Sequence, residues 1–508
     1  MKKNFWKKEC SKDCVNYVIL AVIVIILSLL KLYSSPIRND LPEIDSSVFQ
    51  IMGKGLLNNQ TIYKDLFDHK GPVVYVINAI AYIINPNIGL FIVETTILYI
   101  GLIFIYKTSR MFLSEKLSMI SSLVYLIPIF AYLDGGNYTE EYAITFTNIA
   151  IYNILKIFFK NEYDKKSNWI IIGTTFAINL MIKPTYIAVW IAFGIIQLIY
   201  SIKEKKVKEL LKYILYMICG ILIIIVPVLL YLIIKNDINS FLDAYILMNM
   251  KYSKTTIYNK IMSFSKLLEI YHGYIYVFVV LAGSLMIILN KKIEWKIKDF
   301  VLLFNIMTLI LASWAANLYQ HYLIQISPAV AISLVFLLNY INEEIIKRDK
   351  IKEITKQMPI SFIYFCTIIA LTWIAISYNS IISIKYLKTR HLYNEYKKNN
   401  ILEINQYLDE KDELFVLGND ESCYILLNKQ PRFKHFFQTP IFVYNREIIK
   451  ETEEYIKENK PKVIVKKTTN NNKLFDDECQ GITEILDNDY NRYDKKILTY
   501  YVLKDEAK

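Results

Sequence analysis

The stretch that decides the fold is Leu41–Pro72, LPEIDSSVFQIMGKGLLNNQTIYKDLFDHKGP. It contains four carboxylates, one histidine and three lysines, and it closely follows the apolar run Val15–Tyr33. That run is almost free of charge and is long enough to cross about 30 Å of hydrocarbon as a helix. Charge concentrated beside a membrane span indicates a functional site at the membrane face.

The composition indicates a polytopic membrane protein. Of the 508 residues, 54% are hydrophobic and 14% are aromatic, and the mean hydropathy is positive. Val15–Tyr33 follows a lysine-rich segment and precedes bulky or charged residues, so we predict an uncleaved first span rather than a signal peptide. Further apolar segments bring the predicted number of spans to about eleven. They are 88–106, 117–133, 141–159, 168–182, 185–202, 213–234, 270–289, 300–317, 322–340 and 358–379.

The distribution of lysine and arginine predicts the orientation. Short loops rich in these residues stay in the cytoplasm, and 134–140 and 318–321, which contain neither, are predicted to lie outside. The alternation holds only if Val73–Ile84, about twelve residues long, does not cross, so we expect an interfacial or re-entrant helix there. The N-terminus is then cytoplasmic, whereas the first external loop (34–87), the 235–268 segment and the C-terminal tail lie outside.

Other features restrict the classes of function. The net charge is +12, but the basic residues are spread over cytoplasmic loops and do not form one patch, which argues against a nucleic-acid partner. No GxxxxGK[ST] or GxGxxG stretch occurs, so nucleotide-dependent chemistry has no direct support. The loop carboxylates and His69 leave a divalent metal open, although no spacing identifies a site. Pairing of Cys423 with Cys479 outside the membrane is also left open.

After the last predicted span the chain becomes polar and resembles a soluble protein. We predict a transmembrane domain at 1–385 and a small extracytoplasmic α/β domain at 386–508. Helical spacing occurs at Asn394–Leu408 and at Val443–Asn459. Short apolar runs predict buried strands. They are Glu413–Gly418, Pro461–Lys467 and Leu498–Leu503.

Within the first external loop we predict a helix at 46–57 that lies on the membrane surface. Asp45 precedes two serines, and a side chain of this type can accept hydrogen bonds from the free N–H groups of a first turn. From periodicity alone, Asp45 is therefore a helix cap. The expected apolar face consists of Val48, Ile51, Met52 and Leu56.

A longer pattern adds a second interpretation of Asp45. VFQIMGKGLLNNQTIYKD and FDHKGPVVYVINAI come after Asp45. Later motifs are GGNYTEE at 135–141, Lys183-Pro184, and QHYL at 320–323 with Pro328. Together they resemble the polytopic glycosyltransferases of the C-type fold that use dolichyl- or polyprenyl-phosphate sugars, which are related to protein mannosyltransferases and aminoarabinose transferases. Because Ser46 follows Asp45, the Asp-Glu pair frequent in that family is absent. The pattern is therefore more similar to the broad bacterial relatives of the family.

The resemblance implies roles for the loop residues. Asp45 matches the acidic residue proposed as catalytic base, with direct in-line attack and inversion, and Lys70 matches the lysine near the lipid phosphate. A sugar on polyprenyl phosphate already has an activated leaving group, so one base and several cations suffice. Asp68 and His69 would support Lys70 or contact the sugar. The alternatives are a snorkelling lysine and solvated loop residues.

Five later residues are expected on the same outer side. Lys183 would bind phosphate, or it is an ordinary loop lysine before a proline turn. His321 and Tyr322 would donate hydrogen bonds to phosphate or sugar, although an interfacial aromatic belt explains Tyr322 nearly as well. At least one of Glu140 and Glu141 would bind acceptor hydroxyls. The alternative is negative charge at a helix N-terminus, which fits Glu141 better.

The sequence therefore predicts a mostly α-helical, multi-pass plasma-membrane glycosyltransferase. It would transfer a sugar from a polyprenyl-phosphate donor to an extracytoplasmic glycan, lipid or protein acceptor. A transporter or lipid-linked sugar flippase is the main alternative, although the spans contain few central ionisable residues and no evident inverted repeat. The third possible class is a catalytically silent assembly partner.

Overall fold

The computed structural model describes residues 2–38, 40–314, 316–346, 392–439, 441–467 and 477–504. The predicted span at 358–379 and the predicted domain boundary at 385/386 lie outside the described residues.

Helices dominate the chain as far as residue 346. The first seven are α1 (Lys2–Lys31), α2 (Ile44–Leu57), α3 (Pro72–Ile84), α4 (Gly89–Ser109), α5 (Glu115–Tyr132), α6 (Thr139–Lys160) and α7 (Lys166–Leu180). The next eight are α8 (Ala188–Lys203), α9 (Val207–Ile234), α10 (Ile238–Phe241), α11 (Met248–Tyr252), α12 (Ile257–Ile270), α13 (Tyr274–Leu289), α14 (Trp295–Ala312) and α15 (Ser327–Tyr340). Short 3-10 turns cover Pro184–Tyr186 and Gln320–Ile326, and π-helical turns cover Leu242–Leu247 and Ile341–Ile346.

Among the described residues, six helices are long and apolar enough to cross a membrane. They are Asp13–Lys31, Gly89–Ser109, Glu115–Tyr132, Thr139–Lys160, Val207–Ile234 and Gln320–Glu343. The pair α12 and α13, bent by 110°, would be a seventh. This confirms the predicted polytopic α-helical class.

Three predicted spans form helices that fall outside this set. The 168–182 and 185–202 segments fold as α7 and α8, which have only 15 and 16 residues. Residues 300–312 of the predicted 300–317 span lie in α14, which ends at Ala312 and has three charged residues close to its start. Val73–Ile84 lies within α3, a 13-residue apolar helix, and its interfacial or re-entrant position stays a prediction.

Small residues allow the helices to approach closely. A Cβ atom at Gly173 of α7 would lie 2.0 Å from the carbonyl oxygen of Met217 in α9, and one at Gly220 would lie 2.1 Å from that of Ile170. Because hydrocarbon provides no hydrophobic force between helices, such backbone contact and interhelical hydrogen bonds stabilise the packing. An example of the hydrogen bonds is Asn148 Nδ2 to Tyr125 Oη at 2.7 Å.

The C-terminal residues form the predicted α/β fold. The helices are α16 (392–404), α17 (Ser422–Leu426), α18 (Glu447–Asn459) and α19 (Gln480–Asp489). The strands are β1 (Leu414–Leu417), β2 (Val463–Lys467), β3 (Tyr490–Asp494) and β4 (Leu498–Leu503). They form one sheet in the order β1-β2-β4-β3, in which only β1 and β2 are parallel.

Sequence patterns identified β1, β2 and β4 but missed β3. Only the first residue of β3, Tyr490, is buried, so no alternation of apolar and polar residues marks this strand. Cys423 and Cys479 are both buried thiols and are not joined by a disulfide.

The chain divides into two compact units. One comprises the residues up to Leu32, Val93–Leu229 and the described residues from Thr255 to 346. The other comprises Tyr33–Ile92, Leu230–Lys254 and the described residues from 392 onward. The loop at 34–87, predicted to be external, therefore folds together with the C-terminal α/β domain, although the two are far apart in sequence.

Candidate functional site

The predicted site residues form two groups, one in each compact unit. The loop group, in the unit that contains the C-terminal domain, includes Asp45, Asp68, His69 and Lys70. The helix group, in the other unit, consists of Glu140, Lys183, His321 and Tyr322.

Asp45 lies in the first turn of α2 and is not its cap. The helix begins at Ile44, with Glu43 as the extended N-cap residue, so the predicted start at 46 with Asp45 as cap is wrong. The first turn closes earlier because the Ser47 N–H donates to the Glu43 carbonyl at 2.8 Å. At this position the Asp45 carboxylate is stabilised by the helix dipole. Of the predicted apolar face, Val48, Ile51 and Met52 are buried and Leu56 is half-buried.

A tight turn connects α2 to the Lys-Gly-Pro motif. Tyr63, fully buried, has a left-handed backbone with φ of 70°, a conformation that is uncommon for residues other than glycine. The Tyr63 N–H donates to the Leu66 carbonyl at 2.7 Å, and the Tyr63 hydroxyl donates to the Lys70 carbonyl at 2.9 Å. Buried tyrosine thus fixes the backbone at Lys70.

Asp68 is a buried carboxylate, 1% exposed, with several donors around it. Its Oδ2 accepts the Tyr75 hydroxyl at 2.8 Å, and its Oδ1 accepts the His69 backbone N–H at 2.7 Å and lies 3.7 Å from Lys70 Nζ. Burial by itself would raise the pKa of Asp68, but the Lys70 charge and the hydrogen bonds from His69 and Tyr75 hold that pKa well below its usual range. Asp68 is therefore ionised and holds Lys70.

His69 is neutral, and its tautomer follows from its neighbours. Burial and the Lys70 charge lower the pKa of His69. Lys70 Nζ lies 3.2 Å from His69 Nε2, and because an ammonium group can only donate, Nε2 is the acceptor. The ring proton is then on Nδ1, 3.4 Å from Asp68 Oδ1. Asp45 is also close enough for its charge to raise the pKa of His69, in opposition to the two larger effects.

In the helix group, Glu140 and Lys183 form a buried ion pair. Glu140, 1% exposed, lies in the first turn of α6, and its Oε1 is 3.3 Å from Lys183 Nζ. The Tyr186 hydroxyl donates to the same oxygen, and Thr139 Oγ1 donates to Oε2 at 2.9 Å. Lys183 Nζ also lies 4.3 Å from the centroid of the Tyr322 ring, a cation–π contact. Glu140 and Tyr322 together fix the Lys183 ammonium.

His321 belongs to an aromatic stack next to this pair. Its ring lies parallel to the rings of Tyr138, at 4.2 Å, and Tyr319, at 5.6 Å, and meets the Tyr322 ring edge-on. All four predicted members of the helix group thus lie within one unit and on elements that contact one another.

Glu141 has a local structural role. It is fully buried, and its Oε2 accepts the backbone N–H of Asn137 at 2.9 Å. This contact stabilises the GGN turn before α6, which agrees with the expectation that Glu141 belongs to the helix N-terminus and not to the site.

Sequence reasoning missed the tyrosines that complete both groups, namely Tyr63, Tyr75 and Tyr186. A buried tyrosine hydroxyl needs a hydrogen-bond partner, but the chain contains 40 tyrosines. Nothing in the residue type alone distinguishes these three from tyrosines of the packing core. Within the described part of the chain, no group of three or more His, Cys, Asp and Glu side chains is arranged to hold a metal ion.

Comparison with known protein families identifies the family of this chain. Residues 6–389 match the family described as "Putative competence-induced protein Ccs4 N-terminal domain". The chain belongs to this family. A search of curated protein sequences found no match.

Two solved structures with the same fold contain a lipid phosphate. The crystal structure of ArnT from Cupriavidus metallidurans bound to undecaprenyl phosphate matches with a TM-score of 0.64 at 10% identity, over 96% of this chain and 98% of ArnT. Archaeal oligosaccharyltransferase AglB from Archaeoglobus fulgidus, in complex with an inhibitory peptide and a dolichol-phosphate, matches with a TM-score of 0.54 at 10% identity. That match covers 96% of this chain and 74% of AglB. This family member therefore has the C-type glycosyltransferase fold, as the first-loop pattern predicted.

Proposed function

We propose that the protein is an integral-membrane glycosyltransferase that moves a sugar from a polyprenyl-phosphate carrier to an extracytoplasmic acceptor. The observation that carries the proposal is the loop group, in a chain with this fold: the Lys70 ammonium lies 3.2 Å from His69 Nε2, and Asp45 is close enough for its charge to act on the same ring. The fold alone does not decide the reaction, because one fold supports many functions.

Asp45 is the proposed base. An acceptor hydroxyl attacks the anomeric carbon and gives its proton to Asp45, so the new bond joins the acceptor oxygen to that carbon. The bond from the same carbon to the phosphate oxygen breaks, and polyprenyl phosphate leaves with the electron pair. Attack in line with the leaving group inverts the anomeric centre. A positioned base of this kind contributes roughly 100- to 10,000-fold to a rate.

Lys70 is the proposed partner of the departing phosphate. The negative charge on the phosphate grows as the sugar leaves, and an ammonium group that is already oriented stabilises that charge without reorganisation. Asp68 and His69 hold Lys70 in place and need not touch the sugar, because Asp68 is buried against Tyr75 and the two nitrogens of the His69 ring face Lys70 and Asp68.

The helix group supplies a second held cation. We assign Lys183 to phosphate and Glu140 to its orientation, while His321 and Tyr322 contact phosphate or sugar through the imidazole and hydroxyl groups. The sugar donor is a lipid-linked one because soluble nucleotide sugars are not present outside the cytoplasm. The acceptor is a glycan, a lipid or a protein.

The test is transfer by the purified protein. It is incubated with a panel of polyprenyl-phosphate sugars, and mass spectrometry identifies the donor that is consumed. Asp45→Asn is expected to lower the transfer rate by at least about 100-fold while the protein still folds and inserts. Asp65→Asn is the matched control, since Asp65 is exposed on the same loop and an amide oxygen can still accept the Thr61 N–H.

The outcomes separate the classes of function. Normal transfer by the Asp45→Asn variant removes Asp45 from catalysis. Movement of the lipid-linked sugar across vesicles without bond formation identifies a flippase instead. Failure to consume any donor of the panel contradicts the proposed enzyme.

A further inference from the structure

The C-terminal domain contacts the first loop at several positions between Ile51 and Phe67. The two belong to one compact unit, and several hydrogen bonds between them come from the segment Asn428–His435, NKQPRFKH, which we term the strap. The strap lies between α17 and the 3-10 turn Ile441–Val443 and runs beside α2 and the turn that follows it.

Two strap residues hold the helix that carries Asp45. The Gln430 side chain donates from Nε2 to the Ile51 carbonyl at 3.0 Å, in the middle of α2. Lys54 Nζ donates to Asn428 Oδ1 at 2.6 Å. Space is tight here, because a Cβ atom at Gly55 would lie 3.3 Å from Gln430 Nε2 and 2.5 Å from Leu66 Cδ1. The strap therefore fixes α2 against the loop that follows.

The same strap holds the segment that leads to Lys70. Gln60 Nε2 donates to the Pro431 carbonyl at 3.0 Å, and the Phe67 N–H donates to the Lys434 carbonyl at 2.9 Å. The Phe67 ring packs on the His435 ring with centroids 5.1 Å apart. Phe67 immediately precedes Asp68, so its backbone position affects the Asp68–Lys70 pair.

The opposite side of the strap is fixed to the C-terminal sheet. Phe433 is part of the core of that domain, and its ring contacts those of Phe415 and Tyr455 at 5.7 and 4.7 Å. The His435 carbonyl accepts Gln438 Nε2 at 2.6 Å. The strap thus links a packed sheet to two separate parts of the loop, one before and one after the tight turn at Tyr63.

We infer that the strap positions Asp45 and Lys70 relative to each other, with Gln430 and Gln60 as the positioning residues. The inference rests on the proposed function, since it gives the C-terminal domain a part in the chemistry of the same site. Reacting groups must be placed closely, and a displacement of about 1 Å can cost roughly 100-fold in rate. The folded C-terminal domain fixes these positions through the strap, and the loop does not fix them by itself.

The test compares strap variants with a core variant of the same domain. Gln430→Glu and Gln60→Glu keep the size of the side chain but remove the amide donor. Both are expected to lower kcat/KM by about 10- to 100-fold and to speed hydrogen exchange in residues 44–70, with little change in Tm. Ile482→Ala is the control, because Ile482 is fully buried in the core of the same domain but lies on α19, outside the strap. It is expected to lower Tm and to leave kcat/KM unchanged at low temperature.

Two results would overturn the inference. One is wild-type kcat/KM in both strap variants, and the other is an equal loss of kcat/KM in Ile482→Ala. If the wild-type protein transfers no sugar, the proposed function fails on its own. Hydrogen exchange then tests separately whether the strap positions the loop. Faster exchange in 44–70 of the Gln430→Glu variant then still supports positioning of the loop by the strap, whereas unchanged exchange overturns it.

Discussion

At the residue scale, both groups stabilise a buried carboxylate with the same residue types. Each contains a carboxylate that is 1% exposed, a lysine beside it and a tyrosine hydroxyl that donates to the acid, in Asp68 with Lys70 and Tyr75 and in Glu140 with Lys183 and Tyr186. A buried carboxylate without partners would be costly. The paired acid holds an ammonium group in one orientation while leaving N–H donors for a ligand.

His69 provides a pH-dependent prediction at this scale. Its pKa is lowered in the folded protein, so the unfolded chain binds a proton first as the pH falls. The contribution of His69 is therefore present above pH about 6.5 and is lost as the pH falls from there toward the folded-state pKa. His69→Gln keeps an acceptor for Lys70 and removes the titration, so we expect Tm to fall less between pH 7 and pH 5 than in the wild type.

Thermal unfolding in detergent at a series of pH values measures this effect. His435 is the comparison, because burial lowers its pKa to about 3, and it acts with the same sign. His435→Gln should therefore flatten the profile independently, and the double variant should flatten it further. An unchanged profile in His69→Gln would show that His69 does not titrate with unfolding.

At the element scale, the turn before α6 places the helix group. Gly135, Gly136 and Asn137 have consecutive positive φ angles of 88°, 94° and 61°. The turn brings the Asn137 N–H to Glu141. In the first turn of α6, which follows, Glu140 lies beside Lys183. Three left-handed residues in sequence require small side chains, which explains the GGN motif physically.

Gly136→Ala should destabilise the protein. An added Cβ would lie 2.5 Å from Glu94 Oε1 and 2.5 Å from Leu32 Cδ2, on a backbone with φ of 94°. Left-handed strain and overpacking together are expected to lower the free energy of unfolding by about 2–4 kcal/mol. The thermal midpoint in detergent measures it. Gly194→Ala is the matched control, since nothing lies within 4 Å of its Cβ position and no loss of stability is expected.

At the scale of the whole molecule, the described helices and the shared fold make this a multi-pass membrane protein. The orientation remains a prediction from the positive-inside rule. Single cysteines at Asn58, in the first loop, and at Lys205, in a predicted cytoplasmic loop, test it because both positions are exposed. A membrane-impermeant thiol reagent applied to intact cells, in a background without native cysteines, should label Asn58→Cys and spare Lys205→Cys. The reverse pattern would place Asp45 inside the cell and contradict the proposed enzyme.

Comparison of particular elements shows the extent of sequence-based prediction. The apolar runs predicted the helices of the membrane portion, since hydropathy is a property of each segment alone. The same reasoning predicted β1, β2 and β4 but failed for β3, which buries only Tyr490. It also misplaced the start of α2 by two residues, because capping depends on whether a backbone N–H finds a carbonyl, here that of Glu43.

The amino-acid sequence by itself determined the polytopic class, the C-type fold and the identity of the charged residues at the proposed site. Only the tertiary structure decided that Lys183 pairs with Glu140, 43 residues away, and that Gln430 holds the Ile51 carbonyl, 379 residues away. The physical reason is that hydrophobicity and periodicity act within a segment, whereas a buried hydrogen bond depends on which distant surfaces pack together. The grouping of the first loop with the C-terminal domain was decided by such packing.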